Sequence, residues 1–443
     1  MEITIEKLIY GGDGLARLPA DSQGRRKAAF VPLVLPGETV DARVLEEKPG
    51  FVRAQLEKVI TPSPDRIAPQ CPYFGKCGGC QYQHTGYEQQ LLLKKSILRE
   101  TIERIAKVEL PEISAHTSPS WHYRNRTRMH VHHEPEFAIG YYHMGSRKLL
   151  PVRECPISAE VIGRALMAVW EIGSEIPKEV AEVEFFCSHD EQQLMIELWV
   201  QGTSSDLEKK FQPVADRLQA ELPELVSVAV LRRPGVSKTT SESVAAPELD
   251  GSSGPAALLG VFGESALTYQ AAGFDYRVSA GSFFQTNRFL AKELVALATA
   301  NRAGKMAFDL YAGVGLFSLP LARSFGQVVA VEASPSSLAD LRHNAPTNVR
   351  VVASTTEQFL ARKQKQSPEF VLVDPPRAGL GPKVADAIAW LEAGEIGYVS
   401  CDPSTQARDL SPLLKAGYRI AEAHLIDLFP QTYHIESFIR LLR

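Results

Sequence analysis

The sequence predicts an α/β protein in three parts: a small β-barrel, a central α/β region, and a C-terminal parallel sheet covered by helices. Three observations carry that reading. Residues 1–60 hold short β-forming runs separated by Gly- and Pro-rich turns, the pattern of a small barrel. Residues 61–280 mix strand-like and helix-like stretches. From 287 onward apolar strands alternate with helices, which implies a parallel sheet buried on both faces.

In the first part the runs are 3–5, 28–32, 39–45 and 53–59, and Thr61-Pro62-Ser63-Pro64 marks its end. A helix is predicted over 87–106, where Leu91, Leu92, Ile97, Ile102 and Ile105 stand close to helical spacing. Strands at 183–187 and 194–200 precede a helix over 204–218. The Ser-, Pro-, Ala- and Gly-rich stretch 234–254 reads as a flexible loop. A helix over 288–300 then leads to strands at 306–310, 328–331, 349–352, 370–373 and 398–400. The expected domains are 1–60, 61–280 and 281–443.

Of the 443 residues, 44% are hydrophobic and 23% charged, the balance of a globular protein with real cores. No apolar run approaches the roughly 18 residues of a membrane span. Residues 1–7 alternate apolar and charged types, unlike a secretory leader. A cytoplasmic monomer without membrane contact is expected. A net charge of −4 gives no global support for nucleic-acid binding, so an RNA site must be a local patch.

The turn Asp309-Leu310-Tyr311-Ala312-Gly313-Val314-Gly315 follows a predicted strand and opens a helix. Glycines there let backbone approach a ligand, and Glu332 at the next strand end could hold ribose hydroxyls. A nicotinamide site would also show that acid, but its third glycine would fall at Ser318 and Asp309 would be unexplained. Asp374-Pro375-Pro376-Arg377 ends the fourth strand and faces the same crevice.

Cys401 ends the fifth strand in Ser400-Cys401-Asp402-Pro403-Ser404, with Pro403 suited to a first helical turn. A thiol at a helix N-terminus is expected to have a lowered pKa. Glu436 lies in an apolar C-terminal strand and needs a role, whereas His434 reads as a satisfied core histidine. Carbon 5 of uracil is a poor nucleophile. Thiolate addition at carbon 6 activates it, and a base must later remove the carbon-5 proton. Cys401 and Glu436 fit that pair.

Cys71-x5-Cys77-x2-Cys80 is dense, and Cys155 follows later. Four thiolates suit a [4Fe–4S] cluster or a structural zinc. Cys187 reads as core. The run from Trp121 to His130, Trp-His-Tyr-Arg-Asn-Arg-Thr-Arg-Met-His, mixes cations with aromatics, which fits an RNA-binding strand and equally a solvated charged one. Arg25-Arg26-Lys27 reads as a solvated loop.

Together these residues resemble the bacterial RNA uracil-5 methyltransferase family, across nearly the whole chain. The resemblance implies a TRAM domain, an RNA-binding β-barrel, over 1–60 and a Rossmann-like class I methyltransferase domain at the C-terminus. It implies that Cys71, Cys77, Cys80 and Cys155 hold a [4Fe–4S] cluster, as in the branch of the family acting on 23S rRNA. Tyr123-Arg124-Asn125-Arg126 and Ser282-Phe283-Phe284-Gln285-Thr286-Asn287 match family segments. Gln285, Tyr311, Glu332 and Asp374 fall where the family binds S-adenosylmethionine, and Cys401 and Glu436 fall on its nucleophile and base. The chain departs from the pattern at Leu316, where some relatives have a polar residue, and at Thr355, where Asp or Asn often meets the adenine. The implied reaction is methylation of carbon 5 of a uridine, in rRNA rather than tRNA, with the base flipped or in a loop. An amino-group methyltransferase would share Asp-Pro-Pro, but Arg377 and Cys401 argue against it. A non-catalytic RNA-binding scaffold would not need Cys401, Glu436 and Asp374 together.

Overall fold

The computed structural model describes residues 1–20, 22, 24–201, 206–233, 257–362 and 367–443. The proposed loop 234–254 lies outside the described residues, as do 204 and 205 at the start of the helix expected over 204–218.

The N-terminal part is a six-stranded sheet in the order Glu2–Thr4, Thr39–Glu47, Phe51–Thr61, Ala28–Pro32, Asp13–Arg17, Lys7–Leu8. Glu6 N–H donates to Leu15 O at 2.8 Å and extends the pairing of the last two strands. Alternate residues such as Val31, Val40, Ala42 and Val52 point inward and form its core. The strands at 7–8 and 13–17 were not expected from sequence, since Asp13 and Gly14 are poor β-formers.

The central sheet has seven strands, in the order Leu149–Pro151, Ala138–Tyr142, Arg126–His132, Val180–Cys187, Leu194–Val200, Leu225–Arg232, Ala257–Gly263. Its two faces divide strand by strand. Phe185 and Cys187 point toward the helices Glu160–Glu171 and Leu207–Glu221, packing with Ile162, Leu166, Phe211 and Leu218. Phe186, Met195 and Trp199 point the other way, into a core shared with the hairpin Ala266–Ala271/Phe274–Ser279 and the C-terminal part.

The third sheet has eight strands, in the order Val349–Ala353, Phe325–Glu332, Gly304–Leu310, Phe370–Val373, Glu395–Ser400, Glu436–Leu442, Arg419–Ile426, Ile113–His116. The first five run parallel, as expected. The sheet is not wholly parallel, however. Glu436–Leu442 lies antiparallel between Glu395–Ser400 and Arg419–Ile426. It reaches that place through a turn from its neighbour rather than through a helical crossover. Ile113–His116 joins as an edge strand, and Leu98 and Ile102 of the helix Tyr87–Ala106 share a core with Ala407 and Leu410 of the helix Pro403–Lys415. Among the described residues, no helix is long and apolar enough to cross a membrane.

Candidate active site

Register places the two expected catalytic residues together. The last ladder pair between their strands is Ser400 opposite Ser437. Continuing the register by one residue sets Cys401 opposite Glu436. Ser437 Oγ donates to Ser400 O at 3.3 Å and to Gln406 Oε1 at 2.8 Å, which locks the two strand ends. After Cys401 the chain turns into a helix. Asp402 caps it, its Oδ1 accepting from Ser404 N at 2.8 Å and Thr405 N at 2.9 Å, and Pro403 occupies the first turn.

The electrostatics correct the expectation for the thiol. Burial, then Glu436, Asp374 and Asp402, push the Cys401 thiol well up, and Arg377 offsets this only in part. The helix N-terminus does not prevail, because desolvation and three acids oppose it. Burial and then Asp374 hold the Glu436 carboxyl well above the usual range, with Arg377 again offsetting. Burial and then Asp309 push Asp374 up to about 7. His434 is held neutral by burial and by Arg377, whose Nη2 donates to its Nδ1 at 3.1 Å. His434 thus flanks the site rather than sitting in a distant core, since Arg377 also faces Cys401 and Glu436.

The acids continue into the Gly-rich turn. Asp309 is fully buried, accepts from Ser318 Oγ at 2.5 Å, and leaves Oδ1 without a partner. Burial pushes its carboxyl up to about 7, with Glu332 contributing and Ser318 opposing. Glu332 accepts from Gly313 N at 2.8 Å, Ala333 N at 2.8 Å and Ser334 N at 2.6 Å, tying the turn to the next strand end. Tyr311 sits at φ +67°, a conformation uncommon for a side-chain-bearing residue, found in sharp functional turns. Gln285 Nε2 donates to Asp374 Oδ2 at 3.3 Å, so the segment 282–287 reaches the same crevice. That segment is anchored by Ser282 Oγ on Asp340 at 2.6 Å and by Asn287 Nδ2 on Leu428 O at 3.2 Å. Asp309 and Asp374, raised mainly by burial and with no cation among the groups that shift them, suit a ligand that carries positive charge, as the sulfonium of S-adenosylmethionine does.

Leu316 is buried, and its carbonyl accepts from Tyr276 Oη at 3.0 Å. Thr355 caps a helix, accepting from Gln358 N at 3.2 Å. In sequence Asp309 stood out as the first residue of the Asp-x-x-x-Gly-x-Gly turn, which a nicotinamide site would leave unexplained and a methyltransferase turn contains. Arg377 was visible only as a departure from another motif. Tyr10 was not singled out at all.

The four expected cluster cysteines lie within electrostatic reach of one another. Burial pushes Cys77 up to about 12, with Cys155 and Cys71 adding to it, and Cys155 also raises Cys71 and Cys80. Thiols crowded this way favour a metal centre, which takes them as thiolates. Among the described residues, no set of three or more His, Cys, Asp or Glu side chains is arranged to hold a single metal ion as it stands. Cys187 is buried in the core of the central sheet, and none of the other cysteines figures among the groups that shift its thiol, which burial raises first of all.

The proposed RNA strand is largely turned inward. Tyr123 is fully buried with its hydroxyl on Pro430 O at 2.9 Å, and Asn125 is buried against Gln285 O. Arg126 and Arg128 are paired with Glu184 at 2.5 and 2.7 Å. Those ion pairs bind the central sheet together, with Arg126 buried and Arg128 partly exposed.

A Gly-rich turn, an acid at the next strand end and a sheet closed by an antiparallel last strand define a class I methyltransferase. Residues 1–56 match the TRAM domain, and 261–443 match the tRNA (Uracil-5-)-methyltransferase family. An RNA methyltransferase of Aquifex aeolicus is 34% identical over 449 residues, covering 100% of this chain and 98% of that protein. The 23S rRNA (uracil(1939)-C(5))-methyltransferase RlmD of Shewanella amazonensis is 31% identical, covering 98% and 94%. The structure of the Pyrococcus abyssi tRNA (uracil-54, C5)-methyltransferase with S-adenosyl-L-homocysteine shares the fold over the full length of both chains, with a TM-score of 0.73 at 23% identity. The chain belongs to the S-adenosylmethionine-dependent RNA (uracil-5-)-methyltransferase family.

Proposed function

We propose that the protein methylates carbon 5 of a uridine in ribosomal RNA through a covalent adduct on Cys401. The observation that carries this reading is the apposition of Cys401 and Glu436 across paired strand ends, with Asp374 and Arg377 beside them. Cys401 Sγ, once deprotonated, adds to carbon 6 of uracil, and the displaced electron pair moves to the carbonyl as an enolate. S-adenosylmethionine, when bound, supplies the electrophilic methyl group. Carbon 5 takes that methyl as the methyl–sulfur bond breaks, the electron pair staying on sulfur to leave a neutral thioether, and carbon 5 then carries both methyl and proton. Glu436 removes that proton, the carbon 5–carbon 6 double bond re-forms, and Sγ leaves as thiolate. Arg377 supports the anionic states of both residues.

Gln285, Tyr311, Glu332 and Asp374 would hold the methyl donor, since they converge on the crevice at the carboxyl ends of the parallel strands. The likeness to the Shewanella rRNA enzyme, over nearly the whole of both chains, supports rRNA over tRNA. Cys71, Cys77, Cys80 and Cys155 would hold a [4Fe–4S] cluster. The mutual influence of these thiols, with Cys155 adding to the burial that raises Cys71, Cys77 and Cys80, supports a shared centre, and their spacing resembles that of the family members that carry a cluster. The domains proposed are 1–60, 61–280 and 281–443, with the helix and strand at 87–116 lent to the last. A cytoplasmic monomer completes the reading.

The test is transfer of labelled methyl from S-adenosylmethionine to rRNA from a strain lacking the gene, followed by mapping. One new 5-methyluridine in 23S rRNA is expected. Label on an exocyclic amine, or none in rRNA, would refute the proposal.

A further inference from the structure

The N-terminal barrel does not end at its own surface. The hairpin joining Lys7–Leu8 to Asp13–Arg17 carries Tyr10, Gly11 and Gly12 at its tip. Leu8 is buried in the core of the catalytic sheet, together with Tyr398 and Ile435. Lys7 pairs with Glu100 on the helix Tyr87–Ala106 at 2.5 Å. Gly12 is at φ +92°, and a Cβ there would lie 3.1 Å from Gln81 and 3.3 Å from Tyr433. The tip therefore fills a tight slot between the cysteine-bearing segment and the loop that precedes Glu436.

Within that slot Tyr10 reaches the nucleophile. Its hydroxyl donates to the backbone carbonyl of Cys401 at 3.1 Å. Its ring meets Tyr433 edge-on, with centroids 5.8 Å apart. Cys401 sits just past the last ladder pair and just before the capped helix, and the peptide plane that follows it is held from two sides, by Tyr10 on its carbonyl and by Asp402 N–H donating to Ser400 Oγ at 3.2 Å. The orientation of that plane decides where Sγ points.

We propose that Tyr10 is a positioning residue for Cys401, so that the N-terminal barrel completes the active site as well as accompanying it. The inference rests on the uracil reading above, in which Cys401 is the nucleophile. A barrel that only packed against the catalytic part would need the ring of Tyr10 but not its hydroxyl. Tyr10→Phe separates the two, because it keeps the ring against Tyr433 and removes only the donor. Losing one neutral hydrogen bond should slow the step that depends on it about three- to tenfold. Gly12→Ala should act the same way from the other side, by pushing the tip off Gln81 and Tyr433.

The experiment uses full-length enzyme and RNA carrying 5-fluorouridine at the target, where the fluorine cannot be removed as a proton is. The denaturation-resistant adduct is followed in time at saturating RNA and methyl donor. The expected result for both variants is a maximal rate three- to tenfold lower, with RNA affinity and the KM for S-adenosylmethionine within twofold of wild type. If Tyr10→Phe and Gly12→Ala form adduct at the wild-type maximal rate, this inference is overturned while the uracil reading stands. The same holds if the loss lies wholly in RNA affinity, because the tip then serves binding alone. If wild-type enzyme forms no adduct, the uracil reading fails and this inference with it.

Discussion

At the scale of single residues, the site is a nest of acids with too little positive charge of its own. Asp309 and Asp374 are each pushed up to about 7, and Glu436 higher than its usual range, mainly by burial. For the two aspartates the raised values mean that, in the ligand-free protein, they add stability at low pH and lose it as pH rises through about 7. The same ionisation favours a sulfonium cation. S-adenosylmethionine should therefore bind more tightly at pH 8 than at pH 6, by up to about tenfold for one such carboxyl. S-adenosylhomocysteine carries the same amino and carboxyl groups without the sulfonium, so its affinity should change less. Calorimetry with both ligands measures the difference, and Asp374→Asn should flatten it. Equal pH slopes for the two ligands would show that the acids do not face the sulfonium. The catalytic pair is tested separately. Cys401→Ala should abolish methylation and form no adduct. Glu436→Gln should still add and methylate but release slowly, giving a protein–RNA band on a denaturing gel that Cys401→Ala removes. Wild-type turnover in Glu436→Gln would refute its role as the base.

At the scale of elements, the helix Pro403–Lys415 fixes the nucleophile's surroundings through its cap. Asp402→Ala should cost about 1 kcal/mol of stability, because two backbone N–H groups lose their acceptor. Asp402→Asn keeps the acceptor and should be nearly neutral. Denaturation midpoints of the two variants decide this, and equal losses would show that charge rather than capping matters. Elements like this one were legible in the sequence because their signals are local. The helix Tyr87–Ala106 and the strands Ala28–Pro32, Leu194–Val200 and Phe370–Val373 fall where spacing and β-formers place them. What was not legible depends on residues far apart in the chain. Nothing near Glu436 says that its strand runs antiparallel between two others. Nothing near Cys401 says that burial, with Glu436 and Asp374 brought in from elsewhere in the chain, will outweigh a helix N-terminus. The arginines of the run from 121 to 130 looked available because their partners, Glu184 and Glu197, lie over fifty residues away. Tyr10 and Cys401 are separated by 391 positions.

At the scale of the whole molecule, the loop delivering Glu436 is held from outside its own sheet. Gln81 and Tyr82 donate backbone N–H groups to Gln431 O at 3.0 and 2.9 Å. Tyr433 N donates to Gln81 Oε1 at 3.2 Å, and Gln90 and Gln431 exchange two bonds at 2.9 Å. Below them the buried Lys94 joins Asp427 at 2.6 Å and Phe429 O at 2.9 Å. Gln81 and Tyr82 directly follow Cys80, so whatever orders the cysteines also orders the brace. Short Gly-rich segments with few apolar residues seldom hold a shape unaided, and the proposed cluster would supply a cross-link here. Anaerobically purified protein should therefore contain iron and acid-labile sulfide. Cys77→Ser should lose both, whereas Cys187→Ser, in the core of the central sheet, should keep them. Stoichiometric zinc without iron would refute the cluster. Its removal should raise hydrogen exchange at 71–83 and, through the brace, at 429–434. Binding of S-adenosylmethionine should persist, because the Gly-rich turn and Glu332 make no contact with that brace among the hydrogen bonds described. If exchange rises at 71–83 alone, the loop is held by Lys94 and Tyr123 without help from the cysteines, and the metal serves only its own segment.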